Sequence, residues 1–437
     1  MLKHGSTPVV SSGAKPNVLL ILTDQQRHDA VGYINPQIIT PNLNMLAKRS
    51  VVITNAHVQS PQCQPSRASI LTGRYPTAHR VWWNETPLPG NERTFGNLLH
   101  SVGYDTAYFG KLHVENPNVN VAIHYGFKHR FLFEDWSTFI IENTLDGYKE
   151  IARKDFYGGM GDKCWVGRIS DKRLHHEEVI TNKAIEYIKK ASQPFLAVVS
   201  YHGPHPPYAA PDEFSKLYEL SSLSVPSERV PNLNGYLMSD HDWRSLKRQY
   251  YGAVSWIDDN IGRLLRSVDD NCVVIFLSDH GDILGDHGLF SKGIYAYDGN
   301  VRIPMLMRLP GVKPATYDHL VQAIDVFPTI CSAVGIEVPF GVQGRSLYKA
   351  FKQDTMVNES IVSMLCFVDR LRMIRTQSHK YWIAGNQEHL YDLMADPSES
   401  INLIQQPKSK DLLNEMRFML MRKLIECEDP LPRPRPA

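Results

Sequence analysis

Four short apolar runs punctuate the first two-thirds of the chain: Asn17–Leu22, Thr106–Phe109, Phe195–Ser200 and Cys272–Leu277. Each is rich in β-forming residues and lacks the alternation of a strand with one wet face. That pattern predicts strands buried on both faces, as in a parallel sheet covered by helices. Between them lie segments with helical spacing: Thr94–Gly103, His175–Ser192 and Ser245–Val268. The first stops at Gly103 and the second just before Pro194, both sensible termination signals. The expected fold is α/β, a large mixed, mostly parallel sheet sandwiched by helices. From about Asn358 the pattern changes to strand-like pieces with hairpin turns, followed by a helical run from Asp411 to Cys427. This predicts a small α+β subdomain. The expected division is 15–350 for the main α/β domain and 351–437 for the subdomain. The latter ends in a Pro-rich tail that cannot be helical and is expected to fray.

Each apolar run is followed at once by polar residues that do chemistry. "NVLLILTDQQR" delivers Asp24, Gln25 and Arg27, "TAYFGKLH" delivers Lys111 and His113, "PFLAVVSYHGPH" delivers His202 and His205, and "CVVIFLSDHGD" delivers Asp279 and His280. In open α/β sheets the ligand crevice lies beyond the carboxyl ends of the strands, so four strand ends point at one site. Asp24, Asp279 and His280 offer two carboxylates and an imidazole, with Gln25 as a neutral oxygen, a set suited to one hard divalent metal. A lone Asp after a strand more simply caps a helix, but the pairing of "TDQQ" with "SDHGD" favours the metal. Asp286 and His287 are assigned to a loop.

Lys111, His113, His205 and Lys292 add cationic or hydrogen-bonding groups with few acids beside them. Such a set fits a sulfate or phosphate ester, with a histidine to protonate the departing alcohol. His202 is placed behind this set.

Composition narrows the class. A net charge of +1 supplies no field for nucleic acid or an anionic membrane. Six scattered cysteines without a CxxC pair suggest a reducing compartment and argue against a cysteine-rich zinc site. The N-terminus lacks a signal-peptide core and "NVLLIL" is too short to span a bilayer, so a cytoplasmic protein is expected. A homo-oligomer is left open.

One cysteine stands apart. In "SPQCQPSRASILTGRYP", Pro65 suits the first turn of a helix and Gly73 its end, which places Cys63 at the helix mouth. Amides there favour an anion. The polar flanks Gln62, Gln64, Ser66 and Arg67 argue against an inert buried cysteine, leaving a thiolate nucleophile or a modification site.

Cys63-Gln64-Pro65-Ser66-Arg67 followed by "ILTGRYP" resembles the C-x-P-S-R…L-T-G-R signature of the type I sulfatases, in the alkaline phosphatase superfamily. "GYDTAYFGKLH", "PHPPY", "FLSDHGDILGDHG", "IDVFPTI" and "LYDLMADPSESINL" follow in the family's order, from about Asn17 to Leu403. The resemblance implies hydrolysis of a sulfate monoester, on a small molecule or a saccharide. It also implies that a formylglycine-generating enzyme oxidises Cys63 to formylglycine, whose hydrate attacks sulfur and later expels sulfate. Carried over by position, the metal ligands are Asp24, Gln25, Cys63, Asp279 and His280. Arg67 steadies the hydrate, Lys111 and Lys292 hold sulfate oxygens, His113 takes the hydrate's proton, and His205 protonates the leaving group. Asn84 matches a position at the substrate. Two departures, Gln25 and His280 where many sulfatases carry Asp and Asn or Gln, look more like the branch with choline sulfatase and the phosphonate monoester hydrolases. Ca²⁺ is the metal expected, with Mn²⁺ and Mg²⁺ open, and a phosphonate monoester hydrolase or phosphodiesterase using the same nucleophile is the alternative activity. Trp82, Trp83, Trp136 and Trp165 are candidates for an aromatic or sugar subsite, and 115–171 for the specificity-bearing insertion.

Overall fold

The computed structural model describes residues 15–115, 124–132, 172–231, 237–366 and 369–430, together with Asp135, Val166 and Ile169. Trp136, Trp165, most of the 115–171 insertion and the end of the Pro-rich tail lie outside the described residues.

The main sheet has nine strands. In chain order they are β1 (Val18–Asp24), β2 (Val51–His57), β3 (Asp105–Gly110), β4 (His129–Leu132), β5 (Phe195–Pro204), β6 (Val273–Ser278), β7 (Arg302–Arg308), β8 (Ala315–Tyr317) and β9 (Val321–Gln322). Their order across the sheet is β4-β3-β5-β1-β6-β7-β2-β8, with β9 also on β2. From β4 to β6 every pairing is parallel, while β7 runs antiparallel to both of its neighbours. All four apolar runs are strands, and they lie side by side in the parallel half.

The unbroken apolarity follows from the layering. Leu19 and Ile21 of β1 point into one core, packed with Ile180, Ala184, Ile257 and Ile261. These come from two long helices, His176–Lys190 and Asp240–Leu265. Val18, Leu20 and Leu22 point into the opposite core with Ile70, Leu99 and Phe327. Successive strand residues face opposite sides, so a strand covered on both needs apolar residues at every position.

A second sheet is antiparallel: β10 (Ile361–Met364), β11 (Arg372–Arg375), β12 (His379–Ala384) and β13 (Gln387–Asp392). One face packs Val362, Ile374 and Tyr381 against Met416 and Leu420 of the helix Lys410–Glu426. The other sends Met373, Trp382 and Tyr391 into the larger core of the main sheet. The short helix Ala350–Gln353 likewise buries Ala350 and Phe351 in that core. No helix among the described residues is long and apolar enough to cross a membrane.

Candidate active site

The site lies beyond the carboxyl ends of the parallel strands. Asp24 ends β1, Lys111 follows β3, His202 and His205 sit at the end of β5, and Asp279 and His280 follow β6. The α-helix Cys63–Thr72, hereafter α1, brings its N-terminus to the same place. Gln62 is its extended N-cap residue, Pro65 lies in its first turn, and Gly73 closes it at φ 66°. Cys63 is 1% exposed at the helix mouth.

Asp24, Cys63, Asp279 and His280 converge, one ligand atom from each lying within 4.8 Å of the others. The His280 Nε2 is 3.1 Å from the Cys63 Sγ, 3.7 Å from Asp279 and 3.9 Å from Asp24. His280 Nδ1 lies 2.8 Å from the Gly281 carbonyl. A carbonyl only accepts, so Nδ1 carries the proton and the Nε2 lone pair faces the cluster, as in a metal-ligating histidine. Gln25 joins the set in a left-handed conformation at φ 66°. Its Nε2 donates to Asp282 at 2.7 Å and to the Ser291 hydroxyl at 3.1 Å, which turns its Oε1 inward. Two carboxylates, an amide oxygen and one imidazole fit a hard divalent cation.

Arg67 ties this cluster to the sheet. Its Nε donates to Asp279 at 2.7 Å, its Nη2 to Asp24 at 3.0 Å, and its Nη1 to Ser200 Oγ at 2.8 Å and to the Lys111 carbonyl. At 1% exposure all of its donors face protein. Its charge lies on the carboxylates rather than on Cys63.

The cations on the cysteine are two lysines. Lys111 Nζ pairs with Asp24 at 2.6 Å and stands 3.9 Å from Sγ. Lys292 Nζ is 2.8 Å from Sγ, 3.0 Å from Gln25 Oε1 and 3.4 Å from His280.

Electrostatics follow this arrangement. Burial pushes Asp24 up, but Lys111, His205 and Arg67 together hold it well below the usual carboxylate range. Burial and the neighbouring Asp24 push Asp279 up despite Arg67. Burial and Asp24 raise the Cys63 thiol, yet Lys111, Lys292 and His280 outweigh them and draw it well below its ordinary value. The mouth of α1 is therefore built for an anion, whatever its chemical form.

His205 Nδ1 meets the Pro206 carbonyl at 2.6 Å, which makes Nδ1 the protonated nitrogen and turns Nε2 to its hydrogen bond with Cys63. Burial, with Lys292 and Lys111 beside it, pushes His205 down to about 4. The His202 ring packs behind it, centroids 4.9 Å apart. His113 is held at φ 54°, and its backbone N–H donates to Glu115 at 3.0 Å. Its Nδ1 is buried and meets no acceptor or donor among the described residues. Asn84 sits behind the loop: its Oδ1 accepts from the Gln64 N–H at 3.1 Å and its Nδ2 donates to Gln62 at 3.3 Å. Of the residues expected from the sequence, Asp24, Gln25, Cys63, Arg67, Lys111, His205, Asp279, His280 and Lys292 come together, while Asn84 supports α1 from outside.

Three residues were not singled out by the sequence reading, Asp282, Ser291 and Ser200, and a fourth, Ser66, was read only as a polar flank of Cys63. Asp282 receives Gln25, the Tyr208 hydroxyl at 2.8 Å and the Leu284 N–H at 2.8 Å. Ser66 donates to the Asp279 carbonyl, and Ser200 to that of Lys111 at 2.7 Å. Asp282 and Ser66 lie inside the motifs quoted above, where three-residue proximity to a ligand was the available signal.

The model of the sulfatase family matches residues 16–336, and that of the C-terminal part of N-sulphoglucosamine sulphohydrolase matches 285–426. An ulvan-active sulfatase of Formosa agariphila is 30% identical, covering 95% of this chain and 82% of its own. An arylsulfatase of Clostridium perfringens is 29% identical, covering 95% of each. A crystal structure of the phosphonate monoester hydrolase of Agrobacterium radiobacter superposes with a TM-score of 0.82 at 22% identity, covering 94% of this chain and 96% of that one, which shows a shared fold. With its signature helix, its strand-end cluster and a family model matching most of its length, the chain belongs to the sulfatase family of enzymes, in the alkaline phosphatase superfamily.

Proposed function

We propose that the protein hydrolyses sulfate monoesters with formylglycine, made from Cys63 by a formylglycine-generating enzyme, as nucleophile. The observation that carries this reading is the convergence of Lys111 and Lys292 on the Cys63 Sγ, the atom standing where the modified side chain's oxygens would be. Hydrated formylglycine supplies one oxygen to attack sulfur and a second whose deprotonation expels the sulfate. One hard divalent cation, with Ca²⁺ the one expected, would be held by Asp24, Gln25, Asp279, His280 and modified Cys63, and would supply Lewis acidity at the nucleophile.

The chain's own residues do the rest. Lys292 has no carboxylate partner among the described residues and is free to meet a sulfate oxygen, with Lys111 opposite it. Arg67 fixes both metal-binding carboxylates and so sets the spacing into which the ester fits. His205, its Nδ1–H anchored on Pro206, offers Nε2 to the leaving oxygen. A bound sulfate group beside it offsets the lysines that depress it, so substrate itself favours the protonated acid. His113 is the candidate to take the hydrate's proton, consistent with its buried Nδ1. The relatives named as ulvan-active and aryl sulfatases support sulfate esters, saccharides among them, as the substrate class.

Mass spectrometry of the Cys63 peptide from a host that makes the oxidising enzyme tests the nucleophile, with the aldehyde expected. Parallel rates on an aryl sulfate and a phosphonate monoester test the activity. A phosphonate rate above the best sulfate rate would replace this reading with the phosphonate hydrolase alternative.

A further inference from the structure

Behind the site, the first turn of the helix His176–Lys190 carries three buried side chains, His176, Glu177 and Glu178. Glu177 is 1% exposed. An acid at that depth costs free energy unless its oxygens are used. Its Oε1 accepts from the Gly203 N–H at 2.7 Å, and the His202 N–H lies against the same carboxylate. His176 Nε2 stands 3.1 Å from that oxygen. Both amides belong to the turn that ends β5. In it the His205 N–H donates to the His202 carbonyl at 3.3 Å, so a hold on Gly203 is a hold on His205.

The seat is close-fitting. A Cβ at Gly203 would lie 3.1 Å from Glu177 Oε1 and 2.9 Å from Ile257 Cδ1, which leaves no room for a methyl between helix and turn. One turn along the helix, the Thr181 hydroxyl is 3.0 Å from that of Tyr201. Side chains make a second route. The rings of His176 and His202 meet edge-on with centroids 5.2 Å apart, and those of His202 and His205 lie 4.9 Å apart. Glu177 thus reaches His205 twice, once through main chain and once through imidazole rings. Burial pushes its carboxyl up to about 7, over the pull of His175 and the two amides. Near neutral pH, then, it gives the turn an acceptor oxygen more than a full charge.

Resting on the reading above, in which His205 protonates the departing alcohol, we infer that Glu177 is a positioning residue for His205. By holding the 202–205 turn it sets where the His205 Nε2 meets the leaving oxygen. A misplaced acid matters most when the leaving alcohol is poor, because a good leaving group departs as the anion without a proton.

The test uses the matured full chain with phenyl sulfate, a poor leaving group, and 4-nitrophenyl sulfate, a good one. Glu177→Met removes the acceptor at similar length. It should lower kcat on phenyl sulfate about 100-fold, the lower end of what general acid catalysis contributes, and on 4-nitrophenyl sulfate less than about tenfold, with KM little changed. Glu177→Gln keeps an oxygen for the Gly203 N–H and should recover most of that loss. Added to His205→Ala, Glu177→Met should cost less than about twofold further, since both act on one step. If Glu177→Met does not fold, Glu177→Asp, one methylene short of Gly203, carries the same expectation of a preferential loss on phenyl sulfate. Equal losses on the two esters, or Glu177 and His205 losses that multiply, overturn the inference and leave Glu177 a structural acid. Either outcome leaves the sulfatase reading standing. A parent that cleaves neither ester fails that reading, and this inference with it.

Discussion

Two buried clusters of charge sit in this molecule with the same inventory and opposite purposes. Each holds two carboxylates and three lysines or arginines. At the active site these are Asp24 and Asp279 with Arg67, Lys111 and Lys292. Where the second sheet meets the main one they are Asp298 and Glu399 with Arg302, Arg375 and Lys380. In the second cluster every cation lies on a carboxylate: Arg375 on Asp298 at 2.6 Å, Arg302 on Asp298 at 3.3 Å, and Lys380 on both Asp298 and Glu399, the latter at 2.8 Å. The Asp298 N–H also donates to Glu399 at 2.6 Å. In the first, Arg67 and Lys111 are paired but Lys292 lies on Cys63, Gln25 and His280. A closed cluster is cement. An open one has room for a further anion, and its converging oxygens for a further cation. Closure, not charge count, separates the two.

The largest expected effect breaks the open cluster chemically. Cys63→Ala removes the nucleophile and should lower sulfatase kcat by about 10⁴-fold or more. Its melting temperature should stay close to that of the parent, because Sγ makes no structural bond the helix needs. An activity loss under about tenfold would remove Cys63 from the chemistry.

Lys380→Met is the mirror experiment on the closed cluster. Lys380 is fully buried, and its loss leaves Glu399 without a cation among the described residues and takes one of three from Asp298. Removing one member of a buried pair costs about 3–5 kcal/mol, read from urea unfolding. Specific activity per folded molecule should be nearly retained. A cost below ~1 kcal/mol would mean that the cluster does not cement the sheets.

Metal exchange sharpens the contrast. Chelation should abolish activity and lower the melting temperature, and Ca²⁺ at about 100 times its Kd should restore ~2.7 kcal/mol. The same additions should leave the stability loss of Lys380→Met unchanged, since the carboxylates of that cluster already lie on cations of the chain. Stabilisation of Asp279→Asn by Ca²⁺ equal to that of the parent would argue against the assigned ligands.

Much of the open cluster is legible in sequence for a simple reason. Asp24, Lys111 and Asp279 follow apolar runs directly, so strand and site are adjacent in the chain, and the topology of parallel sheets brings strand ends together, while Arg67 and Lys292 are marked by motif alone. The closed cluster is hidden because its members depend on tertiary pairing. Asp298, Lys380 and Glu399 come from the start of a one-turn helix, a strand and a loop, and nothing local marks Lys380 as buried. The antiparallel β7, and the pairing of β2 with β7, β8 and β9, are hidden for the same reason: local pattern carries no strand order. His113 and Asn84 show a third limit. Motif position places them near the site, but the direction of each side chain is set by backbone conformation and by hydrogen bonds such as that from Gln64 to Asn84.

The smallest expected effect concerns pH and the closed cluster. Burial opposes ionisation of Asp298, but Arg375, Lys380 and Arg302 overcome it and hold its carboxyl well below the usual range. A depressed acid contributes stability that is present above its unfolded value, about 3.9, and is lost as pH falls through the folded value. Glu399 is opposite in sign, pushed up by burial over the attraction of Lys380, so its contribution is present at low pH and lost as pH rises through its folded value. The two act in different windows: Asp298 gives a slope only below about 3.9, and Glu399 only above its unfolded value of about 4.3, where stability falls as pH rises. Asp298→Asn isolates the first term. The stability difference between parent and variant should be constant from about pH 7 to 5, then shrink by up to ~1.4 kcal/mol per pH unit below about 3.9. Urea titrations at pH 7, 5 and 3 read it directly. A difference unchanged down to pH 3 would mean that the Asp298 carboxyl is not depressed in the fold, so that the cations around it do not hold it ionised.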